Sequence, residues 1–92
     1  MIKIEINVVL LNERMYMEVD EDITVYMLLQ FISDVLYSKK LIIEERKDGI
    51  LVNGSTGKIM PLDAKLISLG ICNGSNILYL FREIGPDNNT GG

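Results

Sequence analysis

The groups in this sequence that could take part in a reaction are few: one thiol, Cys72, no histidine, and an acidic run, Asp20-Glu21-Asp22. Without an imidazole, neither a Ser–His nor a Cys–His nucleophile pair can be assembled. One thiol and no imidazole likewise cannot furnish a Cys/His zinc site. Cys72 follows Ile71 with no cation nearby in sequence to lower its pKa, which reads as a buried, inert thiol. The acidic run lacks the alternating ligands, central glycine and distal bidentate Glu of a calcium loop, and suits a solvated turn before a helix. Gly54-Ser55-Thr56-Gly57-Lys58 has the look of a phosphate loop. That loop would need Gly at Val52 and Ser or Thr at Ile59, so the segment reads as a hairpin turn. Asp48, Asp63 and Asp87 form no acid/base pair in sequence. The expectation is a protein that is no enzyme and uses no metal and no cofactor.

The frame around these residues is that of one domain. Ninety-two residues, 48% of them hydrophobic, leave room for one core and place the chain far from disordered compositions. Nine basic against thirteen acidic residues give a net charge of −4, with Lys39-Lys40 and Arg46-Lys47 as the basic clusters. Phosphate neutralisation needs clustered positive charge, so a nucleic-acid partner is not expected. No apolar run approaches the roughly 18 residues of a membrane span, so no direct membrane insertion is expected. Glu5 stands where a signal peptide would be apolar. A single cysteine excludes an intrachain disulfide. Together these suggest a cytoplasmic protein.

Hydropathy alternates with period two over Ile2 to Leu11 and again over Met15 to Val19, separated by Asn12-Glu13, which predicts two strands in a hairpin. The period then changes. Val25, Leu28, Leu29, Ile32, Val35 and Leu36 form one stripe of a helix expected over 23–38, capped by Asp22 or Thr24. Leu41-Ile42-Ile43 fits a strand or a segment tucked under the helix end. Ile50-Leu51-Val52, the glycine turn and Lys58-Ile59-Met60 read as a strand and its return, closed by Pro61. Leu62, Leu66, Leu69 and Ile71 suit an irregular crossover, and Ile77 to Phe81 an interior strand. The expected architecture is α+β: a mixed five-stranded sheet with one main helix over 1–84, and a polar, mobile tail over 85–92.

One helix covers one face of such a sheet. Ile77, Tyr79 and Phe81 point one way along the last strand, and Leu78 and Leu80 the other. With the helix over the first set, Leu78 and Leu80, with Leu51 beside them, form an exposed partner-binding patch. Met27 and Phe31 lie off the helix stripe and mark a possible second surface.

The element order resembles the ubiquitin-like β-grasp superfamily. Met17-Glu18-Val19 followed by acids and Ile23 resembles its second strand entering the helix. Leu69-Gly70-Ile71-Cys72-Asn73-Gly74-Ser75-Asn76-Ile77 resembles its crossover into the last strand. Within the superfamily, Asn53 to Ile59 and the crossover are most similar to the bacterial YukD-like proteins, and the closing Gly91-Gly92 resembles the mature ends of ubiquitin and the sulfur carriers. The tail departs from ubiquitin's arginine-rich one, with Arg82 its one basic residue and Asp87 within it. The resemblance implies a modifier activated at Gly92 by an E1-like enzyme, passed on by an E2-like one and joined to protein targets. Gly91-Gly92 would be the conjugation tail, because a side chain there would clash in a narrow ATP-site tunnel. Alternatives under the same resemblance are a noncovalent accessory protein of type VII secretion machinery and a sulfur carrier.

Overall fold

The computed structural model describes residues 1–41 and 49–81. Strands β1 (Ile2–Val8), β2 (Glu13–Val19), β3 (Ile50–Asn53) and β4 (Asn76–Leu80), with helix α1 (Val25–Ser38) between β2 and β3, form an α+β unit. The sheet is mixed. Its order is β2-β1-β4-β3, with β1 and β4 parallel in the centre and the outer pairs antiparallel.

The alternation in β1 puts Ile2, Ile4, Ile6 and Val8 in the core, where Met15 and Val19 of β2 join them. Asn12 closes the hairpin with a left-handed φ of 54°, a conformation its short polar side chain tolerates. The helix stripe is also as expected. Val25, Leu28, Leu29, Ile32 and Leu36 are buried against the sheet, and Val35 is half-buried at their flank. The helix begins two residues later than the periodicity suggests, because Thr24 rather than Asp22 is the cap. Its Oγ1 accepts from the Met27 amide at 3.2 Å. Asp20 instead closes the preceding turn, its Oδ1 accepting from the Asp22 amide at 2.9 Å.

The first two helical amides have no partner within a helix. Here the crossover supplies them. Val25 donates to the Ala64 carbonyl at 2.9 Å and Tyr26 to that of Leu62 at 3.0 Å. In return Leu66 donates to Ile23 and Ile67 to Glu21, both at 3.0 Å. Leu66 and Ile71 are buried on either side of a single 3-10 turn, Ile67–Leu69, so the crossover is anchored to the core and to the helix start.

At its other end the helix closes with Leu41 donating to the Leu36 carbonyl and Lys40 to that of Tyr37, the paired bonds of a Schellman motif. The left-handed position, φ 60°, is occupied by Lys40. A side chain there costs roughly 1–2 kcal/mol. Lys40→Gly is therefore expected to stabilise the domain by about 0.5–1 kcal/mol, after the extra entropy of glycine in the unfolded chain. Chemical denaturation would show this as a higher midpoint with unchanged slope.

The fifth strand is absent among the described residues. Residues 58–60 return beside β3 but make a single bridge, Val52 to Ile59, flanked by Asn53 N–H to Lys58 O and Met60 N–H to Leu51 O. Gly57, at φ 73°, turns the chain back too tightly, and Pro61 ends it too soon, for a ladder to extend. Of Leu41-Ile42-Ile43, expected as a strand or a segment tucked under the helix end, Leu41 closes the helix and packs against the core. Residues 42 and 43, like the boundary and tail beyond Phe81, lie outside the described residues.

Candidate interaction surface

The face of the sheet away from α1 is divided. Over β1 and β2 it is polar: Lys3, Glu5 and Asn7 alternate with the core residues of β1, and Arg14, Tyr16 and Glu18 with those of β2. Arg14 Nε lies 2.8 Å from Glu5 Oε2. At the lower end, Lys3, Glu5, Tyr16, Asn73 and Gly74 line a shallow depression.

Over β4 and β3 the same face is apolar. Leu78 and Leu80 are half-buried and point outward, as the parity of the last strand implies, while Ile77 and Tyr79 are fully buried beneath the helix. Cross-strand register puts Ile50, 37% exposed, opposite Leu80, and Val52, on the same face but buried, opposite Leu78. Ile59, 64% exposed, extends the second row from Val52. Exposed Val9 and Leu10, in the 3-10 turn after β1, pack beside β4 and border the strip.

Leu51 does not belong to this patch. It is fully buried and pairs across to Tyr79 on the helix side of the sheet. Ile50, Leu51 and Val52 are consecutive apolar residues, so hydropathy alone leaves their parity open. A shift of one position exchanges the two faces. The residues missed were Ile50, Val52 and Ile59. Their signal lay in pairing β3 with β4, which matches Val52 to Leu78 once Leu78 is known to point outward.

Gly49 fixes that parity physically. A Cβ on Gly49 would lie 2.6 Å from Tyr79 Cε1 and 3.1 Å from Leu29 Cδ1. The chain enters β3 against the core, and the next outward position falls to Ile50.

Met27 and Phe31 are exposed one turn apart on α1, 43% and 39% respectively, as the helix stripe implies. Beside them Gln30 Nε2 donates to Tyr26 Oη at 3.1 Å. Cys72 is exposed rather than buried. Ile71 takes the core position, and Cys72 enters a turn in which its amide donates to Ser75 Oγ at 2.9 Å. Asn73 in that turn holds the sheet together, because its Oδ1 accepts from the Lys3 amide at 2.7 Å and continues the pairing beyond β4.

The glycine-rich turn is a hairpin turn, with the Ser55, Gly57 and Lys58 amides occupied within it. Gly57 donates to the Asn53 carbonyl at 2.8 Å, Ser55 to Asn53 Oδ1 at 2.9 Å and Lys58 to Thr56 Oγ1 at 3.2 Å. Donors satisfied within the turn are not free to cradle a phosphate. Gly91 and Gly92 lie outside the described residues. The strip over β3 and β4 carries aliphatic side chains with neither nucleophile nor base, so its chemistry is that of binding: apolar surface, rimmed by polar groups, to be removed from water by a partner.

No protein-family model matches this chain, and no curated protein matches it. Among solved structures it is similar to the solution structure of the N-terminal ubiquitin-like domain in the 4931431F19Rik protein. The TM-score is 0.72 and the identity 21%, covering 96% of this chain and 82% of that one. At that identity the likeness shows the fold, and the fold is the ubiquitin-like β-grasp. No helix among the described residues is long and apolar enough to cross a membrane.

Proposed function

We infer that this chain is a ubiquitin-like protein modifier, read by its partners through the strip formed by Ile50, Ile59, Leu78 and Leu80 over the buried Val52. The observation that carries the reading is the position of the strip. Leu78 and Leu80 lie on β4, and the chain runs on from β4 to Gly91-Gly92. A partner seated on the strip is thereby bound to the strand from which the segment with the reactive carboxylate continues in sequence. In that chemistry the Gly92 carboxylate attacks the α-phosphate of ATP, releases pyrophosphate and leaves an acyl-adenylate. A cysteine of an E1-like enzyme then displaces AMP, an E2-like cysteine takes over the thioester, and an amine of the target displaces that thiol.

A second reading rests on a different observation. The structural neighbour is a ubiquitin-like domain at the N-terminus of another protein. A noncovalent module, such as the YukD-like accessory proteins of type VII secretion, would use the same strip and require no reactive end.

The test has two arms. Deleting Gly91-Gly92 is expected to abolish ATP–pyrophosphate exchange with the cognate E1-like enzyme, and any higher-mass conjugates in cells. Leu78→Ser with Leu80→Ser should weaken partner binding at least tenfold, while half-buried positions limit the stability loss to about 1–2 kcal/mol. Biological activity that survives the deletion but not the patch variant would replace the modifier reading with the noncovalent one.

A further inference from the structure

The two edges of the sheet are finished differently. Beside β3, residues 58–60 occupy part of the outer edge through the Val52–Ile59 bridge and its two flanking hydrogen bonds. The other edge, β2, has no covering segment among the described residues. It is seven residues long, pairs with β1 at every position without a bulge, and contains no proline or lysine. Of the devices that blunt an edge strand, proline, lysine, a bulge and a short strand are missing; its charges, Glu13, Arg14 and Glu18, are of both signs.

The direction of its free backbone groups follows from β1. Lys3 donates to Asn73 Oδ1 at 2.7 Å, its carbonyl accepts from Gly74 at 2.8 Å, and Glu5 donates to the Ser75 carbonyl at 2.9 Å. All three bonds point away from β2. Backbone polar groups alternate sides along a strand, so Ile4 and Ile6 are the residues that turn toward β2, bonded to Met17 and Met15. Arg14, Tyr16 and Glu18 consequently present their N–H and C=O groups to the open edge.

The same three residues carry the outward side chains, and their order is self-complementary. If a second β2 is laid antiparallel with Tyr16 opposite Tyr16, Arg14 falls opposite Glu18 at both ends. On the helix side Met15 falls opposite Met17. Each of the three outward residues then exchanges both backbone hydrogen bonds with its partner. A two-residue slip one way sets Arg14 against Tyr16 and leaves charges unmatched. A slip the other way moves Arg14 opposite Asp20, beyond the end of β2, and a parallel arrangement brings like charges alongside. Tyr16, 62% exposed, stands at the centre. Arg14 Nε meets Glu5 of β1 on the inner side, so the guanidinium is shared with that contact or turns from it when Glu18 of a second copy is opposite.

We propose that two copies of this chain pair through β2 about a two-fold axis at Tyr16, joining their sheets into one continuous sheet. The interface is one strand wide, which belongs to the small, transient class and predicts a concentration-dependent dimer. The inference is independent of the modifier reading. The apolar strip lies at the far side of each sheet, so both copies of it stay open, and a dimer would bind a partner carrying two matching sites with added avidity.

Sedimentation velocity on the full chain, from micromolar to millimolar concentration, tests the proposal. The mean mass is expected to rise from that of one chain toward twice that value. Arg14→Glu places like charges opposite each other at both ends and should raise the dissociation constant about tenfold. Arg14→Glu combined with Glu18→Arg restores opposite charges and should bring the constant back to within about threefold of the parent. Tyr16→Pro removes the central outward donor, a change an edge strand tolerates, and should abolish the dimer while circular dichroism shows the fold retained. A parent chain that stays monomeric at millimolar concentration overturns the proposal and leaves the edge to a strand from another protein. An Arg14→Glu variant that dimerises like the parent, or a double variant that fails to recover, overturns it as well.

Discussion

Leu29→Asp is expected to leave the chain unfolded at room temperature. Leu29 is 5% exposed and sits where a Cβ on Gly49 would meet both its Cδ1 and the Tyr79 ring. A carboxylate there loses its water, and aliphatic and aromatic carbon surrounds it. Leaving one charge buried and unpaired costs several kcal/mol, and the lost leucine packing adds to it. A domain of this length has roughly 5–14 kcal/mol in all. The far-ultraviolet circular dichroism of the variant should therefore lack the helical signal, and no cooperative melt should be seen. A melting curve like the parent's would mean that α1 presents another face to the sheet.

The second large effect separates Leu51 from Leu78 and Leu80. Leu51→Ala should destabilise the domain by about 2–5 kcal/mol, the usual range for a leucine removed from a closed core. Leu80→Ala, at a half-buried position on the opposite face, should cost about 1 kcal/mol or less. Urea titrations of the two variants measure the difference directly. If Leu51→Ala unfolded at the parent's midpoint, Leu51 would face outward and the register of β3 would need to move by one residue.

That contrast also marks what hydropathy can carry. In β1, polar residues between Ile2, Ile4, Ile6 and Val8 write the parity into the sequence. In α1, the spacing of Val25, Leu28, Leu29, Ile32 and Leu36 does the same with a different period. β4 is apolar from Ile77 onward, yet its length and the helix opposite it suffice to send Ile77 and Tyr79 inward and Leu78 and Leu80 outward. β3 offers three apolar residues and no such check, and its parity is decided by Gly49 fitting against Tyr79, a contact thirty residues away in sequence. The missing fifth strand has the same origin. Lys58-Ile59-Met60 has the composition of a strand, and its length is cut short by the geometry of Gly57 and Pro61. Cys72 departs from its expected burial because a residue following a core isoleucine can either continue inward or enter a turn. Here Ser75 captures its amide and decides for the turn.

The central pairing of β1 with β4 has a consequence for how the chain is made. The first strand of the domain to be synthesised and the last one must lie side by side, and Lys3 is linked to a residue seventy positions later. Until β4 emerges, β1 and β2 can form their hairpin and α1 its turns, but β3 has no strand beside it and the parallel half of the sheet cannot start. Long-range closure of this kind is slow compared with local helix or hairpin formation. Within this domain the flank of β1 that pairs with β4 therefore stays open until the domain's last strand is available to enter between β1 and β3.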